Sequence, residues 1–288
     1  MSITQGESIL LFKYLEPDRI DVLASGHIRF TQPADFNDPF EFRSVISSVA
    51  SKEEFDKAMD EDLKTMVQEE LQKFPSEIRK QISPAQLEAV TRKLYEQHWP
   101  SLETKFKEMG SETTRVFIDK ANTLIGVLSL TEKNDNLLMW SHYAYSHKGF
   151  CIGFDNTSPF FNKKRSEVDE FYHLRKVTYS KIRPSKLLNQ LNGVELFLIK
   201  SQAWEYEQEW RMCAVLEDSE KTISTTTSLP IHLFQFPNSA VKEIILGACI
   251  ENNVKENILT VVRKNYPHVA IKQARISNEE FCLEFIEL

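Results

Sequence analysis

Short apolar runs typical of β-strands occur in two parts of this chain, and a helical segment separates them. The first group covers residues 9–15 and 27–31, and the second extends from residue 124 to residue 286. Between residues 51 and 121, apolar residues instead recur every three to five positions, as in amphipathic helices. Strands grouped in this way favour an α+β fold over a regular βαβ alternation. We therefore predict a single α+β domain of residues 1–288, with residues 51–121 as a helical insertion.

Capping residues and prolines set the bounds of the predicted helices. Ser51 begins one helix with a capping-box sequence, and Pro84 begins a second. We expect the second helix to end near His98, because Pro100 interrupts the pattern, and a third to follow. A further short helix is predicted over residues 194–200.

Residues 204–211 combine three glutamates, two tryptophans, a tyrosine and an arginine. The apolar run that follows favours a strand over this stretch. The residues that would share one face of that strand are Glu205, Glu207, Glu209 and Arg211. Two aligned carboxylates suit chemistry with an oxocarbenium-like transition state. A helix, or a solvent-facing row of carboxylates balanced by Arg211, remains the alternative.

Two other polar segments are candidate sites. In residues 35–41, Asn37 and Asp38 precede a proline, and such side chains also form turns by bonding to their own backbone. Residues 138–150 bring together histidines and aromatic residues: Trp140, His142, Tyr143 and His147. Core packing is the alternative for Trp140 and Tyr143. Neither segment has the spacing of a zinc or calcium site, so no metal is predicted.

Composition and charge restrict the class of protein. The chain has only 8 glycines and neither a GxGxxG nor a P-loop motif, which argues against Rossmann and P-loop enzymes. The net charge of −7 argues against attraction of the whole surface to nucleic acid or membrane, although residues 163–186 form a locally basic loop. The chain lacks a signal sequence and a long apolar run, so we expect a cytoplasmic protein that does not enter a membrane. We expect all four cysteines to be buried thiols.

Several of these segments, in this order, resemble a bacterial family catalogued as domain of unknown function 2971. The resemblance covers most of the chain outside the helical segment. It rests on residues 11–14, 36–41, 128–130, 139–144, 147–150, 204–211 and 241–247. The family carries no assigned function, so the resemblance implies membership and no activity.

The order of the motifs is also similar to that of ADP-ribosyltransferases. This second resemblance implies a split, mainly antiparallel β core that binds NAD. Glu209 would stabilise the ribose cation and Glu207 would orient the acceptor, as the catalytic pair. Lys13 and Tyr14 stand where that superfamily has Arg or His, and Ser129 and Thr131 stand in its middle motif. The remaining cofactor-binding candidates are Asn37, Asp38, Trp140, His142, Tyr143, His147 and Arg211.

Three functions follow as expectations. The first is an ADP-ribosyltransferase-like enzyme that uses NAD to modify a nucleic acid or a protein, as a toxin or a phage-defence effector. The second is a non-enzymatic binding or regulatory protein, whose helical residues 51–121 would contact a partner. The third is a metal-dependent hydrolase or nuclease that would use Asp38, Glu41, Glu207 and Glu209.

Overall fold

The computed structural model describes residues 8–42, 45–190, 194–226 and 229–288. These residues form two compact units. The larger unit falls within residues 1–42, 118–182 and 193–288, and the smaller within residues 43–117 and 183–192. The predictions of one domain over residues 1–288 and of an insertion over residues 51–121 stay predictions.

Six α-helices and fifteen strands lie within the described residues. The helices are α1 (Asp21–Ser25), α2 (Lys52–Gln72), α3 (Ser76–Arg79), α4 (Pro84–Leu124), α5 (Leu137–Tyr143) and α6 (Asn252–Asn265). The strands are β1 (Leu10–Leu15), β2 (His27–Phe30), β3 (Val45–Ser48), β4 (Ile125–Thr131), β5 (Phe150–Asp155), β6 (Leu174–Lys176), β7 (Thr178–Ser180), β8 (Ser185–Leu187), β9 (Ile199–Ser201), β10 (Glu209–Val215), β11 (Lys221–Ile223), β12 (Ile231–Gln235), β13 (Val241–Leu246), β14 (Ala270–Ile276) and β15 (Leu283–Glu287).

An eight-stranded sheet organises the larger unit, in the order β15-β14-β13-β5-β1-β4-β10-β6. Its neighbours are antiparallel except β13 and β14, which helix α6 connects and which run parallel. The same unit contains a three-stranded sheet, β11-β12-β2, and the parallel pair β7 and β9. The predicted α+β class with a large, mainly antiparallel sheet is confirmed.

Strand β5 lies at the centre of the core and is buried on both faces. Phe150 and Ile152 pack in one apolar cluster with Ile258 of α6. Cys151 points the other way and packs in a second cluster with Trp140 of α5. Burial on both faces explains why this strand reads as a continuous apolar run. Helix α5 is thereby fixed on the face that carries the candidate site.

The eight-stranded sheet opens between β1 and β4. Strand β1 pairs with β5 along its whole length, and β10 pairs with β4 from Glu209 to Val215. In contrast, β1 and β4 meet in register only at Phe12 and Thr131. The backbone groups along the rest of this boundary do not form a ladder, so side chains enter the space between the two strands.

The smaller unit shows that the expected helix break at Pro100 is wrong. Helix α4 continues through Pro100 and is 41 residues long. The rings of Phe55, Tyr95, Trp99 and Phe106 contact one another across this position. Packing of these rings on both sides of Pro100 offsets the missing backbone hydrogen bond. The predicted capping box at Ser51 is confirmed, because its hydroxyl and the Glu54 carboxylate satisfy each other's backbone N–H groups.

The predicted strand over residues 204–208 is also wrong. Residues 202–207 form a 3-10 helix, Gln208 has a left-handed backbone with φ of 44°, and β10 begins only at Glu209. The short helix expected over residues 194–200 is likewise replaced by a 3-10 turn and strand β9. Glu205 consequently does not share a strand face with Glu207, Glu209 and Arg211, and it is exposed.

The expectation of four buried cysteines holds for two of them. Cys151 and Cys213 are buried within strands of the large sheet. Cys249 and Cys282 are exposed, so their apolar sequence surroundings were misleading. Both exposed residues lie outside regular strands, where neighbouring apolar residues do not cover them.

Replacing Pro100 by alanine should stabilise the protein. Alanine restores the N–H group that proline lacks and removes the clash of its ring with the preceding turn, which together are worth about 1–3 kcal/mol of unfolding free energy. Urea unfolding measures the change. The matched control is Pro84→Ala, because Pro84 occupies the first turn of α4, where proline is tolerated. Equal effects of the two substitutions would contradict the interpretation.

Candidate functional site

Local structure places four charged residues of consecutive elements in one cluster. Lys200 lies in β9, Glu207 ends the 3-10 helix, and Glu209 and Arg211 lie in β10. The Ser201 hydroxyl caps the 3-10 helix by accepting a hydrogen bond from Ala203 N. The left-handed residue at position 208 then reverses the backbone, so that carboxylates two positions apart face the same ammonium group.

Lys200 lies among three buried carboxylates. Its Nζ is 3.2 Å from Glu41 Oε1, 2.5 Å from Glu207 Oε2 and 3.0 Å from Glu209 Oε2. None of these four side chains is more than 5% exposed. The three carboxylates repel one another, and a single ammonium would leave the buried group with excess negative charge. A second cation is therefore needed.

Arg211 supplies that second cation. Its Nε donates to Glu209 Oε1 at 2.7 Å, its Nη1 donates to the Phe197 carbonyl at 2.8 Å, and its Nη2 bonds to Glu41 and Glu209. The guanidinium is fully buried, and the forked contact with Glu209 is the geometry that favours arginine over lysine. Arg211 is therefore a structural counter-ion more than a ligand-binding group.

The two predicted catalytic carboxyls have different protonation behaviour. Burial opposes ionisation of Glu209, but Arg211 and Lys200 outweigh it and lower the pKa to about 2. Burial raises the pKa of Glu207 above its ordinary value, although Lys200 acts against this. Glu209 is thus ionised at neutral pH, whereas Glu207 is the weaker acid, and its conjugate base the stronger base, of the two carboxyls.

A chain of hydrogen bonds holds Glu207 at the pocket wall. The Tyr143 hydroxyl donates to Glu207 Oε1 at 2.6 Å, and Asn37 Nδ2 donates to the same hydroxyl at 3.0 Å. Thr131 Oγ1 donates to the Glu207 carbonyl. These contacts come from three distant segments and hold both the backbone and the carboxylate of Glu207.

A cavity of about 170 Å³ occupies the opening between β1 and β4. It is smaller than most small-molecule sites. The aromatic and polar side chains that line it include Phe12, Lys13, Tyr14, Phe36, Asn37, Ser129, Thr131, Tyr143, Lys200, Glu207 and Glu209, and Met139 adds an apolar side chain. Eight of the predicted site residues thus surround one space, and the carboxylate with the raised pKa is among them.

Lys13 spans the opening between the two strands. Its Nζ donates to the Ser129 carbonyl of β4 at 3.1 Å, and it forms no ion pair among the described residues. Burial lowers the pKa of this amine to about 8. The Ser129 hydroxyl adjoins Glu209 and helps to lower the pKa of that carboxyl, although no hydrogen bond of standard geometry joins the two groups. Of the two lysines that line the pocket, Lys13 is the one without an ion pair among the described residues.

Five of the predicted residues do not line the cavity. Asp38 accepts a hydrogen bond from the backbone of its own turn, and Trp140 is buried with its Nε1 bonded to the Asn134 carbonyl. His147 stacks on Trp140 with the ring planes 12° apart. His142 is exposed, and Arg211 lies behind the carboxylates. For Asp38, Trp140, His147 and Arg211 the structure favours packing and support over direct binding.

Lys200 is not among the residues predicted from the sequence, and Glu41 is predicted only for the metal-dependent hydrolase. Lys200 follows the apolar run 196–199, and Glu41 lies between two phenylalanines. A charged residue inside an apolar run is a signal of a buried ion pair. This pattern, a charged residue inside an apolar run, indicates both Lys200 and Glu41 as members of a buried ion pair.

Metal-binding groups and membrane-spanning helices were both sought among the described residues. They include no group of three or more His, Cys, Asp or Glu side chains arranged to hold a metal ion. Between Glu41, Glu207 and Glu209, the position suited to a cation holds Lys200 Nζ. No helix in the described part of the chain is long and apolar enough to cross a membrane.

Comparison with known proteins gives one match. A family model described as a protein of unknown function (DUF2971) matches residues 139–212. The matched segment, about a quarter of the chain, begins in α5 and ends in β10. It contains Tyr143, Lys200, Glu207, Glu209 and Arg211 of the cluster. Comparisons with curated proteins and with solved structures give no match.

Replacing Lys200 by methionine should strongly destabilise the protein. The substitution removes the ammonium and leaves three buried carboxylates with Arg211 alone, which costs about 3–5 kcal/mol of unfolding free energy. Urea unfolding at pH 7 measures the loss. The control is Lys176→Met, because Lys176 forms an exposed ion pair with Glu132 and should matter by less than about 1 kcal/mol. Similar losses in both variants would show that burial of the cluster is not the cause.

Replacing Lys13 by methionine should have the opposite effect. Its pKa is lowered from 10.5 to about 8, so the folded state binds this proton more weakly than the unfolded state does. The charged amine therefore costs free energy below pH 8, and the cost disappears as the pH rises to 10.5. At pH 7 Lys13→Met should raise the unfolding free energy by about 1–3 kcal/mol, with a smaller gain at pH 10.

Urea unfolding at several pH values tests this pH dependence. Lys164→Met is the matched control, because Lys164 is exposed and its replacement should change stability little at any pH. A gain for Lys13→Met that does not change with pH would argue against the lowered pKa, and a loss at pH 7 would reject it.

Proposed function

We propose that the pocket between β1 and β4 is the active site of an ADP-ribosyltransferase-like enzyme. The substrate would be NAD, and the acceptor a nucleic acid or a protein, as for a toxin or a phage-defence effector. The observation that carries the proposal is the Glu207 carboxyl. Its pKa is raised by burial, Tyr143 holds it at the pocket wall, and it lies beside Glu209, which is ionised at neutral pH.

The shape of the pocket fits the reactive end of such a substrate. The cavity of about 170 Å³ has room for a nicotinamide ring and part of its ribose, but not for a whole dinucleotide. Phe12, Tyr14 and Phe36 supply ring surfaces for stacking. The remainder of the dinucleotide would extend from the opening between the two strands.

The reaction would break the bond between the ribose C1′ and the nicotinamide nitrogen. Nicotinamide leaves with the bonding electrons and becomes neutral, while the acceptor oxygen or nitrogen bonds to C1′. The proton of the acceptor passes to Glu207, which must be ionised beforehand. Lys200 favours that ionised form, and the raised pKa of Glu207 makes it a stronger base than an exposed glutamate.

The positions of the two glutamates fit the roles expected for them, with Glu209 at the ribose cation and Glu207 at the acceptor. Both oxygens of Glu209 are already bonded to Arg211 or Lys200. Glu209 therefore contributes fixed negative charge near the developing ribose cation. Glu207, whose Oε1 is bonded only to the Tyr143 hydroxyl among the described residues, is the group placed to accept the proton.

Replacing Glu207 by glutamine should abolish turnover of NAD. Glutamine keeps the shape but does not accept a proton, so the rate of nicotinamide release should fall by a factor of about 10²–10⁴. Chromatographic assay of nicotinamide, with a cell extract as the source of acceptors, measures the rate. The matched control is Glu205→Gln, an exposed glutamate of the same 3-10 helix, which should keep the wild-type rate.

Two results would reject the proposal. One is a wild-type protein that neither binds nor consumes NAD under these conditions. The other is a Glu207→Gln variant that folds and retains full activity. Binding of NAD without turnover, unchanged in Glu207→Gln, would favour the alternative of a non-enzymatic binding protein.

A further inference from the structure

A second cavity lies on the opposite face of β10. Alternate residues of a strand point to opposite faces, so Met212 and Ala214 point away from the side that carries Glu209 and Arg211. They line a cavity of about 310 Å³. Its other lining residues are Phe30, Phe160, Lys163, Arg165, Tyr172, Asp218, Glu220 and Phe234. None of them belongs to the candidate active site.

The interior of this second cavity is aromatic. Phe30 of β2 and Phe234 of β12 contact each other, with ring centroids 4.3 Å apart, and Phe160 adds a third ring. Ala214 fills little of the space in front of them. A volume of about 310 Å³ with such walls is at the lower end of the range for small-molecule sites and suits one flat aromatic group.

The rim of the cavity carries two cations, Lys163 and Arg165, and two carboxylates, Asp218 and Glu220, so its formal charge is zero. Lys163 lies 5.0 Å from the centre of the Phe160 ring and forms no ion pair among the described residues. Arg165 is paired with Asp218, which neutralises that carboxylate. Glu220 accepts the Gln235 N–H through Oε2 and leaves its other carboxylate oxygen available. The rim can therefore bind an anion at Lys163 and accept a donor group at Glu220.

Tyr172 is held at this rim in a backbone conformation unusual for its type. Its φ is 58°, in the left-handed region where a bulky side chain costs about 1–2 kcal/mol. Hydrogen bonds from Tyr172 N to the Cys213 carbonyl and from Lys163 N to the Tyr172 carbonyl hold the backbone there. The phenol accepts from Arg165 and from Val215 N. Backbone strain that the surroundings enforce is typical of binding sites.

We propose that this second cavity binds a single nucleotide, with the base packed against the phenylalanine rings and the phosphate at Lys163. An aromatic ring fits the walls, a phosphate fits the unpaired ammonium, and a ribose hydroxyl or an exocyclic amine fits Glu220. The nucleotide is either free or the 5′ end of a strand, since both present the same chemistry. The inference does not depend on the proposed transferase activity.

Isothermal titration of the 288-residue chain with adenosine 5′-monophosphate tests the site. The nucleotide should bind at least tenfold more tightly than adenosine or inorganic phosphate alone. Lys163→Gln should weaken binding at least fivefold, and the matched control Lys164→Gln, an exposed neighbour that does not line the cavity, should not change it. Both lysines are exposed, so neither variant is expected to lose its fold.

Further titrations distinguish binding at this cavity from binding at the first pocket, and they identify the source of the nucleotide. Glu207→Gln should leave affinity for the nucleotide unchanged, and loss of binding in that variant would assign the nucleotide to the first pocket and overturn the inference. Tighter binding of a 5′-phosphorylated single-stranded oligonucleotide would identify a strand end as the ligand, and weaker binding a free nucleotide. Absence of binding at millimolar nucleotide, or equal losses in Lys163→Gln and Lys164→Gln, would also overturn it.

Discussion

The ion pairs of Lys200 with three glutamates determine how the candidate site is built. Because buried carboxylates are costly without counter-ions, Glu41, Glu207 and Glu209 are stable together only around Lys200 and Arg211. The turn before Glu41, strand β9 and strand β10 are therefore tied to one another by charge. Tyr143 then adds helix α5 to the same group through Glu207.

This arrangement also makes two neighbouring glutamates chemically different. Arg211 contacts Glu209 through two nitrogens, and the pKa of that carboxyl falls to about 2. Glu207 is bonded to one ammonium and one phenol, and burial has the larger effect on it. A difference in counter-ions, rather than in side-chain type, thus separates a fixed charge from a proton acceptor.

Much of the fold follows from local sequence, whereas the site depends on distant contacts. The two groups of strands, before and after the helical segment, were predicted because apolar spacing acts within a few residues. The turn of residues 202–207 was missed, since it depends on pairing between Glu207 and Lys200 and on the left-handed backbone of Gln208. The break expected at Pro100 failed for a similar reason, as rings from both helical halves pack across it. The cluster of Glu41 with Arg211 joins residues far apart in sequence, and no periodicity reveals it.

The pairing of β1 with β4 and β5 has a consequence for the order of folding. The partners of Phe12 are Thr131 and Gly153. Helices α2 to α4 lie in the sequence between Phe12 and both of these partners. Closing so long a loop costs conformational entropy before any strand contact repays it. Helices form in microseconds from local contacts, so α2 and α4 should exist before β1 finds its neighbours. We therefore expect β1 to join the sheet last, and the opening between β1 and β4 to form in the slowest step.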